Sequence, residues 1–260
     1  MGLRTYRAKR RFDVTPEPRG AARPRRDAPR ALRFVVHKHR ASHLHYDLRL
    51  ESAGVLHSWA VPKGPSLDPS VKRLAMAVED HPIEYATFEG TIPENEYGGG
   101  TMMVWDRGTW QPDEPDVERS IARGELKFAL QGEKLRGSWV LVRTAGRAGG
   151  ARDDRSWLLI KHRDEAASEE DVAESKPYSV ATGRLLAQIA NDEGGDVAKA
   201  ASGDPPAAVE RLIAELGAAK AAPAKAARAR KPAAEPSRVK RTTKPAKRAK
   251  ARAAGARTAS

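Results

Sequence analysis

The sequence predicts a mainly β domain, built as a barrel or a sandwich, with a few short peripheral helices and a disordered basic tail. Three observations carry this prediction. Eight short runs, RFVVHKH, LHYDLRLE, VLHSWAVP, KRLAMAVE, TMMVWD, ELKFALQG, GSWVLVR and SWLLIKH, are separated by glycine, proline and polar residues, which is the patterning of strands. Helical signals are fewer and shorter. The charge is also segregated: from Lys220 to Ser260 there are fourteen Lys or Arg and one acid, Glu235, although the whole chain of 260 residues carries a net +13.

The elements follow in chain order. Residues 1–30 form a basic arm, and residues 1–40 hold thirteen basic side chains against Asp13, Glu17 and Asp27. The eight strand-like runs lie within 31–191, the expected folded domain. PDVERSIARG reads as a short crossing helix and TGRLLAQIAN as another. In PPAAVERLIAELG, prolines at the first turn start a helix that Gly217 is expected to stop. Residues 192–219 are then a linker with a short helix. The last segment, 220–260, is almost devoid of large apolar residues, so nothing offsets the entropy of ordering it. Its charge suits a polyanion, with affinity from released counterions and a steep salt dependence.

Composition bounds the chemistry. A 40% hydrophobic fraction supports one ordinary core, and 31% charged residues leave room for solvated arms beside it. No cysteine occurs, which excludes disulfides, thiolate metal sites and a cysteine nucleophile. The sequence has no apolar run near the ~20 residues that span a bilayer, no apolar stretch after MGLRTYRAKRRF, no internal repeat and no Gly-rich phosphate loop. A cytoplasmic, nucleoid-associated protein without membrane contact is expected.

Four of the seven histidines fall within nine positions of HKHRASHLHYDLRL, residues 37–50. In an extended strand LHYDLRLE sends His45, Asp47, Arg49 and Glu51 to one face and Leu44, Tyr46, Leu48 and Leu50 to the other. A solvated strand alternates in the same way, so composition is the discriminator. This face stacks His, Asp and Arg, with His39 and His43 just upstream. Imidazole with carboxylate suits Mn²⁺, Fe²⁺, Co²⁺ or Zn²⁺ and leaves coordination positions open. The Arg49 guanidinium matches two phosphate oxygens.

A second constellation lies at KRLAMAVEDHPIEYATFEGTIPENEYGGGTMMVWDRGTW. His81 precedes a proline and is held in an extended turn, with Tyr85 four residues on. Histidine can bind a phosphate oxygen or protonate a leaving one near neutral pH. Lys63 and Arg73 are further basic candidates for the same pocket. Gly98 to Gly100 read as a tight turn into TMMVWD.

These stretches, with HSWAVPKGPSLDP, SWLLIKHRDE, KRRFDVTPEP and SVATGR, resemble the 3′-phosphoesterase domain of bacterial DNA ligase D, in a stand-alone form. The resemblance runs from about residue 5 to about 191 and leaves out the basic tail. It implies a β-barrel with a polar interior site holding Mn²⁺ and a phosphate, with Co²⁺ or Zn²⁺ as alternative ions. Its implied substrate is the 3′ end of a DNA primer-template. A terminal ribonucleoside leaves by phosphodiesterase action and the 3′-phosphate by phosphomonoesterase action, giving a 3′-hydroxyl that a ligase can seal during non-homologous end joining. Ku and a separate ATP-dependent DNA ligase are the implied partners. Residue by residue, the resemblance places metal ligands at His39, His45 and Asp47, and the phosphate at Arg49, His81 and Tyr85. Lys63 and Arg73 are its other basic site residues, and Arg10 and Glu17 its closing arm. At His37 the family more often has glutamine, so a histidine there bonds a phosphate or perturbs the metal shell. Two other classes stay open: a non-catalytic DNA-binding accessory that recruits a ligase, and a general RNA-end metallophosphatase.

Overall fold

The computed structural model describes residues 3–20, 31–144, 147–148, 151–152 and 154–221. Its elements are α1 (Arg4–Ala8), β1 (Leu32–Arg40), β2 (Leu44–Ser52), β3 (Val55–Val61), β4 (Lys72–Ala77), a 3₁₀ turn (Ile83–Thr87), β5 (Gly90–Ile92), β6 (Gly100–Pro112), α2 (Val117–Arg123), β7 (Glu125–Gly132), β8 (Arg136–Arg143), the two-residue strands β9 (Arg147–Ala148) and β10 (Ala151–Arg152), β11 (Ser156–Lys161), α3 (Val172–Ser175), α4 (Leu186–Asp192), α5 (Val197–Ala201) and α6 (Pro206–Ala221). Met1–Ala218 form one compact unit and Ala219–Ser260 a second. The expected disordered tail lies outside the described residues from 222 onward. Among the described residues no helix is long and apolar enough to cross a membrane.

The eight runs read from the sequence are the eight strands of a closed antiparallel barrel. Hydrogen bonding runs β1–β2–β3–β4–β11–β8–β7–β6, and pairing of β1 with β6 closes the ring. The closing seam shifts register between Val36 and His37, where β6 carries one extra residue, as at a β-bulge. Two-residue connections suit such meanders: between β2 and β3, Ala53 (φ 48°) and Gly54 (φ 80°) both take positive φ, the signature of a type I′ hairpin turn.

Alternation decides what fills the barrel. Phe34, Val36, Tyr46, Leu48, Leu50, Trp59, Trp105, Phe128, Trp139, Leu141, Trp157 and Leu159, drawn from seven of the eight strands, form one continuous buried cluster with Ala75 of β4. That cluster is the lumen. Leu186 and Ile189 of α4 and Ala200 of α5 extend it. A smaller cluster lies on the other face of the wall, where Val35, Leu56, Met102 and Val104 pack against Tyr6, Tyr85, Ala86 and Ile92. The wall between β1, β2, β3 and β6 is therefore covered on both sides, by lumen residues within and by the N-terminal segment and residues 79–98 without.

Four details differ from the sequence reading. The helix expected to stop at Gly217 continues to Ala221, because one interior glycine costs only ~1 kcal/mol and the Ala and Lys residues after it are strong helix formers. TMMVWD is the start of a thirteen-residue strand running on to Pro112. The basic arm contains a helix, α1, and β5 was too short, at three residues, to show a period.

Candidate metal and phosphate site

The register of the β1–β2 hairpin builds the site. His39 lies opposite His45, His37 opposite Asp47 and Val35 opposite Arg49, so the polar residues of two adjacent strands share one face. Continuing across the sheet, Arg49 lies opposite Ser58 of β3. This face is turned away from the lumen. The polar cavity is thus interior to the protein but lies between the barrel wall and its outer cover, because the aromatic and aliphatic residues of the other face already fill the barrel.

His39, His45 and Asp47 form a possible metal-binding triad, with one donor atom from each within 4.8 Å of the others. Asp47 Oδ2 is 4.0 Å from His39 Nδ1 and 3.8 Å from His45 Nε2. The donor chemistry fits a divalent ion in two further respects. His45 Nδ1 donates to the His43 carbonyl at 3.0 Å, which leaves Nε2 as a lone-pair donor held in place by a backbone contact. His39 Nε2 is buried with no hydrogen-bond partner, a cost that a ligand would relieve. Burial, and then His45 beside it, push the His39 pKa down to about 3, so the ring is neutral as ligation requires. For Asp47 burial acts upward, but Arg49 and the imidazoles outweigh it and hold the pKa below its usual value.

Arg49 is almost wholly engaged. Its Nη2 donates to Asp47 Oδ2 at 2.9 Å, Nε to His37 Nδ1 at 3.2 Å and Nη1 to Ser58 Oγ at 2.9 Å. The guanidinium also lies 4.9 Å from the Tyr85 ring centre. His37 is therefore fully buried behind Arg49. There it orients the guanidinium rather than reaching the cavity, which departs from the expectation that it bonds a phosphate.

His81 enters from a different element. Its backbone exchanges two hydrogen bonds with Leu56, of 2.8 and 2.9 Å, and Pro82 leads into the 3₁₀ turn that brings Tyr85 beside it, with ring centres 4.8 Å apart. Its Nδ1 lies 2.8 Å from the Glu79 carbonyl and its Nε2 3.2 Å from Arg10 Nη2. Arginine only donates, so Nε2 accepts from Arg10, while Nδ1 faces both the Glu79 carbonyl and Arg49 Nη1, each at 2.8 Å. Burial, Arg49 and Arg10 hold the His81 pKa well below the usual value.

The N-terminal segment closes the cavity. Glu17 accepts from Arg10 Nε at 2.7 Å and from the Tyr85 hydroxyl at 2.9 Å, while Arg10 Nη1 pairs with Glu79 at 3.1 Å. Glu17 thus serves by holding Arg10 and Tyr85. The resulting cavity of about 250 Å³ is lined by Arg10, Glu17, His39, His45, Asp47, Arg49, Glu79, His81, Tyr85 and Tyr97 among others.

Two predicted residues do not join them. Lys63 is exposed just after β3. Arg73 lines a separate depression with Asp68, Glu169, Glu170 and Asp171. The turn reading of the three glycines holds in geometry, since Gly98 has φ 80° and a Cβ on Gly100 would sit 2.2 Å from the Arg40 carbonyl. The sequence reading missed Ser58, Glu79 and Tyr97. Pairing β2 with β3 finds Ser58, which lies across from Arg49. Glu79 and Tyr97 carried no signal beyond their places in AVEDHP and NEYGGG.

A closed β-barrel whose outer wall carries a two-histidine, one-carboxylate triad beside a buried arginine is a candidate metal- and phosphate-binding domain. Residues 37–143 match the family described as the DNA Ligase D 3′-phosphoesterase domain. That stretch of the chain belongs to this family. The chain is 52% identical to the "Multifunctional non-homologous end joining protein LigD" of Pseudomonas aeruginosa over 187 residues, 71% of this chain and 22% of that protein. It is 40% identical to the protein of the same name from Mycolicibacterium smegmatis over 177 residues, 66% of this chain and 22% of that one. A "Multifunctional non-homologous end joining DNA repair protein LigD" of Mycobacterium tuberculosis matches at 44% over 144 residues, 55% of this chain and 18% of that protein. The chain spans less than a quarter of each of these relatives.

Proposed function

We propose that the chain is a metal-dependent phosphoesterase that heals DNA 3′ ends for non-homologous end joining. The observation that carries this reading is the triad of His39, His45 and Asp47 set against Arg49 in one buried cavity. A divalent ion such as Mn²⁺, with Co²⁺ or Zn²⁺ as alternatives, supplies Lewis-acid polarisation of a phosphoryl oxygen when bound.

The chain's own residues do the rest. Phosphoryl transfer asks the protein mainly for positioning and charge neutralisation. Arg49 is fixed by Asp47, His37 and Ser58, and Arg10 by Glu17 and Glu79, so each guanidinium is oriented before substrate arrives. In the free protein these two cations help keep His81 neutral. A phosphate between them reverses that field and lets His81 take a proton, which it then gives to the leaving oxygen. Tyr85 hydrogen-bonds the phosphoryl group once its hydroxyl turns from Glu17.

In the first step water attacks the phosphorus as its bond to the 5′ oxygen of a terminal ribonucleoside breaks; that oxygen takes the proton, the ribonucleoside leaves with a 5′-hydroxyl, and a 3′-phosphate remains on the primer. In the second the 3′-phosphate is hydrolysed to a 3′-hydroxyl. Ku and a separate ATP-dependent DNA ligase are the proposed partners. The basic segment 220–260 supplies sequence-independent DNA affinity.

The test is product analysis with Mn²⁺ on a 5′-labelled primer-template ending in one ribonucleotide. A 3′-phosphate intermediate followed by a 3′-hydroxyl end is the expected result. A primer that is bound but left intact would point to a DNA-binding accessory instead.

A further inference from the structure

The cavity is small beside pockets that enclose whole ligands. Its volume of about 250 Å³ falls below the ~300–1,000 Å³ of pockets that enclose drug-sized ligands. Its lining includes three imidazoles, two guanidinium groups and the carboxylates of Glu17, Asp47 and Glu79 beside a few apolar side chains, and the imidazoles and guanidinium groups suit a phosphoryl group. The base attached to that phosphoryl group must lie at the opening.

Two tyrosines line the cavity. Tyr85 is 1% exposed, and its ring is surrounded by Tyr6, His37, His81 and Phe88, with centre-to-centre distances of 4.8–6.0 Å. Tyr97 is 47% exposed. A solitary exposed tyrosine is ordinary on a protein surface. What sets Tyr97 apart is that it borders the phosphate cavity and is contacted there by two cations, Lys9 Nζ at 4.5 Å and the Arg10 guanidinium at 5.4 Å from its ring centre. Its hydroxyl accepts from Lys9 Nζ at 3.0 Å, and Lys9 is itself paired with Glu79 at 3.0 Å. On its other flank, Gly98 takes φ 80°, and a Cβ on Gly99 would lie 2.7 Å from the Pro93 carbonyl.

We propose that Tyr97 is a nucleobase-stacking platform at the cavity mouth, which receives a base at the DNA end whose phosphoryl group is bound below. The assignment deepens the phosphoesterase reading and rests on it for the position of the phosphate. Stacking on an aromatic ring is tolerant of sequence because every base has a π-face. Tyr97 accordingly contributes affinity for a polymer end without choosing among the four bases. The same ring gives an end bearing a base an advantage over an abasic one.

The experiment uses the full chain and a primer-template with 2-aminopurine as the 3′-terminal base. The wild-type protein should quench its fluorescence on binding. Tyr97→Ala should lose the quenching and bind roughly 5- to 150-fold more weakly, the range that one base-aromatic stack is worth. Tyr97→Phe and Tyr97→Trp should retain both. In steady state the loss in Tyr97→Ala should fall on KM. Replacing the terminal nucleotide by an abasic one should weaken wild-type binding by a similar factor, and the two losses should overlap rather than add. Unchanged quenching and affinity in Tyr97→Ala would overturn the proposal. So would a Phe variant as impaired as Ala, since that would assign the effect to the Lys9 hydrogen bond. Ring-dependent quenching in a protein that released neither nucleoside nor phosphate would support the stacking platform and remove the phosphoesterase reading.

Discussion

Among the described residues, two groups of histidine and carboxylate use the same chemistry in opposite ways. In the first, His39, His45 and Asp47 point their donor atoms at one shared space. In the second, His57 of β3 spends both ring nitrogens: Nδ1 lies 3.0 Å from Asp80 Oδ1 and Nε2 2.8 Å from Glu118 Oε1 of α2. Convergent donors make a site, whereas divergent ones make a strut. The pKa directions differ accordingly. Burial lowers both, but His39 has another imidazole beside it and falls to about 3, while hydrogen bonds and charge from Asp80 and Glu118 carry His57 above the ordinary value. The strut is adjacent to the site in sequence, since Asp80 precedes His81. It ties one end of the His81 segment to the barrel.

The contrast is tested most severely by Asp47→Ala. We expect turnover to fall at least ~10³-fold, the upper end of what loss of one electrostatic catalytic group costs. Stability should also fall, by about 3–5 kcal/mol, because Arg49 is left as an uncompensated buried charge. A labelled-primer assay and urea denaturation measure the two, and near-normal turnover in this variant would show that the triad is not the site.

Next in size is the response to an ion. Mn²⁺ at about a hundred times its Kd should stabilise the wild-type protein by ~2.7 kcal/mol, read as a rise in Tm. His39→Ala should abolish the rise and His57→Gln should keep it. If both variants kept it, the ion would bind elsewhere.

His57→Phe should cost about 1–3 kcal/mol, the penalty for leaving Asp80 buried without its donor, with much less effect on turnover than Asp47→Ala. Equal losses of turnover in the two variants would erase the distinction between strut and site.

The smallest effect is the pH dependence of that strut. Because the folded pKa of His57 is raised above 6.5, the stability it adds is fully present below about 6.5 and declines as pH rises through the folded value. The difference in denaturation midpoint between wild type and His57→Gln should therefore narrow from pH 6 to pH 9. A difference that widened over that interval would mean that His57 is buried neutral.

Much of the fold was legible in the sequence because strand alternation is a local property. LHYDLRLE declares two faces by itself, and Tyr46, Leu48 and Leu50 do enter the lumen while Asp47 and Arg49 leave it. His45 and Asp47 were legible for the same reason, since they share a strand face with Arg49, whereas His39, on β1, was named from the resemblance. His37 was harder to place, because its role depends on which way Arg49 turns. Lys63 and Arg73 were misjudged as neighbours of the cavity because a basic residue near a motif in sequence has no fixed position in space. His57 went unnoticed because both carboxylates that hold it lie outside its own strand, 23 and 61 residues away.

The sequence by itself determined the eight strands, the side of each that is apolar, and the residue types able to hold an ion and a phosphate. Tertiary structure decided the rest. Closure of β1 onto β6 assigned the apolar face to the lumen and left the polar face for the outer wall. Strand pairing set His39 across from His45. Long-range packing brought Arg10, Glu17, His81 and Tyr85 to the same cavity from segments up to 71 residues apart. The physical reason is that side-chain alternation depends only on the next residue along the chain, whereas convergence of charges depends on which distant segments are packed together to bury the wall.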